Sequence, residues 1–90
     1  MAHVSRNRKS LLTRVRRVAG QVAALERALE GEANCTDVLV QMAATKGAMH
    51  ALMMEVLLGH LGDHVVAEQD EAKRRDEAQV LIKLLQGYAK

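Results

Sequence analysis

The stretch LLTRVRRVAGQVAALERALEG, Leu11–Gly31, decides the fold. Its apolar residues Leu11, Val15, Val18, Val22, Leu25 and Leu29 are spaced 4, 3, 4, 3 and 4 apart. That is the seam of a heptad helix, not the alternation of a strand. Gly20 weakens such a helix by about 1 kcal/mol relative to Ala and is read as a point of close packing. Gly31 stands where a left-handed C-cap residue is expected. The spacing predicts a first helix over about 5–30.

Outward from this seam the same periodicity recurs. Asn34 is an N-cap candidate, with Asp37 in the first turn where a carboxylate suits the helix dipole. Val38, Met42, Met49, Leu52 and Val56 form one stripe, and Leu39, Met53 and Leu57 widen it. So wide an apolar surface suits a second helix, about 34–66, that touches two neighbours. The methionines are read as core filler. Gly59 and Gly62 loosen its end. Asp70 is a cap candidate for a third helix, about 70–88, with Leu81, Leu84, Leu85 and Tyr88 as its stripe. The expectation is an all-α protomer forming a single domain over 1–90. In 90 residues without Phe or Trp, the core must come from 14 Ala, 12 Leu, 10 Val and 5 Met. A chain this short is marginal alone, so a helical bundle built from several copies is the simplest remedy.

The composition also excludes functions. One cysteine rules out a disulfide scaffold and suits a reducing compartment. No apolar run approaches the length of a membrane span, and no secretory signal is visible, so the expected location is cytoplasmic. The net charge of +2 conceals an asymmetry: residues 1–17 hold Arg6, Arg8, Lys9, Arg14, Arg16 and Arg17 and no acid. On a helical wheel Arg6, Lys9, Arg16 and Arg17 lie away from the apolar seam, and Arg8 and Arg14 flank it. A basic run without balancing acids on a mildly acidic body points to a polyanion. A set of Lys and Arg with little else to read bases leans on phosphate contacts and DNA shape.

A second chemistry is carried by His60 and His64, spaced i, i+4, which turns both imidazoles to one side of a helix. Such a pair is also common on solvated surfaces. Cys35 lies in the first turn after the Asn34 cap, where the dipole suits an anionic metal ligand. On one continuous helix Cys35 and His60 are about 37 Å apart. They meet only if the second helix pairs antiparallel with its copy, crossing at Gly47–Ala48–Met49. One protomer would then give Cys35, the other His60 and His64. His3, beside the terminal amine, is a further candidate ligand. His50 is assigned no role. A thiolate with imidazoles suits nickel, cobalt or zinc better than magnesium or calcium, and copper(I) would favour a second sulfur.

These residues together resemble a known family. LLTRVRRVAGQVAALERALEG (Leu11–Gly31), Cys35, QMAATKGAMHALMMEVL (Gln41–Leu57), His60-x3-His64 and the C-terminal LLQGYAK are similar to the CsoR/RcnR family of metal- and formaldehyde-responsive repressors. The resemblance covers nearly the whole chain. It implies an antiparallel four-helix-bundle dimer of three-helix protomers, a dimer of dimers forming a disc-shaped tetramer, and no helix-turn-helix. His3, Cys35, His60 and His64 resemble the ligand set of the nickel/cobalt-sensing RcnR/DmeR-like branch. Copper sensors of the family carry a thiol where this chain has His64. Formaldehyde sensors carry a carboxylate there and a proline where this chain has Ala2. Arg14, Arg17 and Lys46 resemble the DNA-contacting positions. Lys46 stands where the family usually has Arg, and His50 and Ala51 where it usually has Asn and Gly.

The expected function is therefore a repressor that binds double-stranded operator DNA in the apo state and is released by nickel or cobalt, with zinc able to bind in vitro. The DNA set is Arg6, Lys9, Arg14, Arg16, Arg17 and Lys46. No membrane, organic cofactor or enzymatic role is expected, since Cys35 has no acidic orienter or oxyanion donors. The alternative within the family is a formaldehyde-responsive repressor reacting through Cys35. A metal chaperone would leave the basic segment unexplained, and an architectural DNA protein would be indifferent to metal.

Overall fold

The computed structural model describes the backbone of residues 2–88 and the side chains of residues 4–88. Four α-helices follow in order: α1 (Ala2–Arg6), α2 (Arg8–Glu30), α3 (Cys35–Leu61) and α4 (Glu71–Tyr88), with a π-helical turn at Gly62–Val66 between the last two. There is no strand among the described residues, so the fold is all-α. Two differences from the expected three helices stand out. The first helix is broken at Asn7, which leaves α1 as a five-residue piece. The second helix ends in the π turn, closed by the Ala67 N–H donating to the Gly62 carbonyl at 2.9 Å. The glycines at 59 and 62 carry the helix-weakening backbone that allows the wider turn.

The contacts divide the chain into two units. The first, Asn7–Glu55, is an antiparallel hairpin of α2 and the first part of α3. Gln21 and Ala24 face Gln41, Ala44 and Thr45 across a cleft of about 160 Å³. Farther from the turn, Arg14 Nε and Glu55 Oε2 form an ion pair at 2.8 Å. Val18, central in the heptad seam, is the buried residue between them. The link starts at Gly31, whose N–H donates to the Arg27 carbonyl at 3.0 Å. Its φ of −95° and ψ of −153° are extended, not left-handed. The expected left-handed cap is thus corrected: the chain leaves α2 directly into the extended link that leads to Asn34. Asn34 does cap α3, its Oδ1 accepting from the Asp37 N–H at 2.9 Å. Replacing it with Ala is expected to cost about 1 kcal/mol, read as a lower urea midpoint.

The second unit joins residues 2–6 to 56–88. Leu57, Leu58 and Leu61 of α3 meet Ala78, Leu81, Ile82 and Leu85 of α4 around an apolar cleft. Asp70 caps α4 as expected, its Oδ1 accepting from the N–H groups of Ala72 (2.9 Å) and Lys73 (3.3 Å). The cap turns the chain back so that α4 packs beside the π turn.

Among the described residues only Val18 and Leu81 are buried hydrophobics, whereas Leu39, Val40, Met42, Met49, Val80, Ile82 and Leu84 are all exposed. The chain exposes 6856 Å², about a third more than the ~5,200 Å² expected of a folded monomer of its mass. α3 carries apolar residues around its whole circumference, a pattern that belongs to a helix buried on all sides. No Cβ at Gly20 or Gly47 would meet an atom within 4 Å, so neither glycine marks close packing inside the protomer.

Candidate metal and nucleic-acid sites

The end of α3 and the π turn bring His60 and His64 together. Their ring centroids are 4.5 Å apart with planes tilted by 41°. The i, i+4 offset survives the change from α to π winding because only one turn separates them. His60 is further fixed from α4: its Nε2 lies 2.7 Å from Glu77 Oε2. A carboxylate on one ring nitrogen sets the orientation of an imidazole and leaves the other nitrogen for a metal. His64 Nε2 is shielded from solvent. Two imidazoles on one turn are a good fit to a borderline ion such as nickel or cobalt, but they are only half of a coordination sphere.

The rest of the expected ligand set is elsewhere. Cys35 is the first residue of α3 and is exposed. Among the described residues, no group of three or more His, Cys, Asp or Glu side chains is placed to hold a metal ion. The His3 side chain lies outside the described residues. His50 sits on α3, apart from the pair at His60 and His64.

The expected DNA set divides by charge pairing. Lys9, Arg16, Arg17 and Lys46 are exposed and have no carboxylate partner among the described residues. Arg14 is engaged with Glu55. Arg6 Nη2 donates to both oxygens of Asp63, at 2.9 and 3.2 Å. The sequence reading did not find Glu55, Asp63 or Glu77. Local spacing carries no signal for contacts spanning 57 positions, as for Arg6 and Asp63, or 17, as for His60 and Glu77.

The sequence pattern of the family described as "Metal-sensitive transcriptional repressor" matches residues 7–86. The chain belongs to this family. Among relatives of the repressor, the transcriptional repressor RcnR of Citrobacter koseri is 42% identical over 90 residues, covering all of both chains. RcnR of Salmonella paratyphi B is 41% identical over the same full length. A solved structure of a variant of the formaldehyde-responsive regulator FrmR from Salmonella enterica serovar Typhimurium is also similar. It shares 43% identity and a TM-score of 0.84, over 92% of this chain and 94% of that one. The repressor is therefore a metal-sensitive regulator of transcription and not an enzyme, and its protein fold is all-α. No helix among the described residues is long and apolar enough to cross a membrane.

Proposed function

We propose that this chain is a cytoplasmic repressor that binds operator DNA without metal and leaves it when nickel or cobalt binds. The observation that carries the reading is the half-site. His60 and His64 are adjacent in the protomer, yet among the described residues no group of three or more His, Cys, Asp or Glu side chains is placed to hold an ion. The residues that would hold the ion are His60, His64 and His3 with Cys35 of the partner subunit. Such an ion supplies a crosslink between chains. The antiparallel pairing of α3 with its copy accounts for this sharing and covers part of the exposed apolar surface. Open space at Gly47 is what such a crossing needs. A four-helix dimer, paired again as a tetramer, then repeats the basic segment four times. In that assembly Lys9, Arg16, Arg17 and Lys46 contact phosphates, and Arg6 and Arg14 join them when released from their carboxylates. Several such contacts make affinity steeply salt-dependent.

Linkage connects the two sites. A conformation that ligates the ion better must bind DNA less well, and the same factor then acts in both directions, typically about 5–150-fold. The RcnR relatives support nickel or cobalt as the effector. The FrmR neighbour and the exposed Cys35 favour a second reading, formaldehyde acting through that thiol. A DNA-binding titration with nickel, cobalt, zinc, copper(I) and formaldehyde in parallel tests both. Nickel or cobalt should release DNA at the lowest free concentration. Release by formaldehyde alone, with a mass increase at Cys35, would replace the metal reading with the second one.

A further inference from the structure

We propose that Asp63 is a positioning residue that clasps the N-terminal arm through Arg6, so that the clasp and DNA compete for one guanidinium. The proposal rests on the repressor reading for its DNA partner, but the clasp itself is a contact within the protomer. Five residues cannot hold a helix by themselves in water. α1 (Ala2–Arg6) is that short, and the break at Asn7 separates it from α2. Its last residue supplies a tie: Arg6 Nη2 donates to both carboxylate oxygens of Asp63, at 2.9 and 3.2 Å.

The two partners are unequally placed. The Asp63 side chain is 26% exposed, held in the π turn, and the Arg6 side chain is 61% exposed. The carboxylate is therefore the fixed jaw and the guanidinium the part that can leave. An exposed pair of this kind is weak, so a phosphate can outbid it. While paired with Asp63, Arg6 cannot neutralise a phosphate, and the basic segment presents one charge fewer per protomer.

The position of the jaw gives the clasp its regulatory meaning. Asp63 directly precedes His64 in the π turn, and His64 stacks near His60. A single π turn inside a helical run is a frequent functional device. Any ligand that fixes the His64 backbone fixes Asp63 one residue away. A turn held in the clasping form keeps the arm docked and withholds Arg6 from DNA.

The test is a double-mutant cycle in metal-free DNA binding on the full-length protein, with Asp63→Asn, Arg6→Gln and both together. Asp63→Asn is expected to tighten DNA binding about two- to fivefold per engaged protomer. In the Arg6→Gln background the same change should have no effect, because the guanidinium it frees is gone. Equal tightening in both backgrounds would mean only that a negative charge was removed, and no tightening would mean no competition; either result overturns the clasp. Asp63→Glu, which keeps the carboxylate, should restore the wild-type affinity. Limited trypsin digestion of Arg6→Gln reads the arm without relying on the fold of the Asp63 variants. Cleavage after Arg8 should accelerate severalfold, and an unchanged rate overturns the clasp. Because the cycle contains no metal, it judges the clasp even if no metal releases wild-type protein from DNA, the result that would defeat the metal-response reading.

Discussion

Alanine at Cys35 is expected to lower nickel and cobalt affinity by more than about 100-fold and to abolish metal-dependent release from DNA. Loss of an outer partner of a ligand already costs about 10–100-fold, and a direct ligand costs more. Cys35 supplies the one sulfur in the proposed set; without it the site holds imidazoles and an arm ligand only. The substitution sits at the exposed first residue of α3, and the Asn34 cap does not depend on the thiol. The helix and metal-free DNA binding should therefore persist. Competitive metal titration and a DNA-binding assay with and without metal check the two halves of this expectation. His64→Ala should give a loss of the same kind from the opposite end of the site.

Substitution of Arg17 by alanine should act on the other function. Arg17 is exposed on α2 and has no carboxylate partner among the described residues. Each neutralised phosphate contributes about −0.9 to the slope of log affinity against log salt, and roughly 1 kcal/mol at physiological ionic strength. If two to four copies of Arg17 touch DNA, affinity should fall roughly 30- to 1000-fold, and the salt slope should flatten by about 2–4. Metal affinity in the absence of DNA should not change. Arg14→Ala should behave differently, because Arg14 also closes the α2–α3 hairpin through Glu55. That variant should lose stability as well as DNA affinity, which separates a structural ion pair from a free phosphate contact.

The residues that sequence reading placed correctly are those governed by local chemistry. The heptad spacing put Val18 at the centre of the α2 seam, where it is buried. Asn34 and Asp70 cap their helices because an Asx side chain beside the first turn has donors within reach. The i, i+4 rule brought His60 beside His64. Gly31 was misread because the backbone angle at a helix end follows from where the chain goes next. The break at Asn7 and the π turn were not legible: neither is marked by proline, and a glycine at 62 is compatible with several windings. The carboxylates that restrain Arg6, Arg14 and His60 lie on elements joined only by tertiary structure. The length of α3 shows why Cys35 and His60 belong to different protomers in the proposed site, since a straight helix cannot fold its two ends together.

The central claim is that one site is built from two chains, and complementation measures it directly. Cys35→Ala and His64→Ala chains should each bind nickel weakly as pure proteins. Mixed one to one and allowed to reassemble, half of the dimers carry one chain of each kind. In a twofold pair, each mixed dimer has one site with both defects and one with neither, so about a quarter of the wild-type sites should return at wild-type affinity. Recovery of tight nickel binding at that stoichiometry is the predicted result. If reassembled mixtures bind no better than the two variants apart, Cys35 and His64 do not act across the protomer interface, and the shared site is wrong.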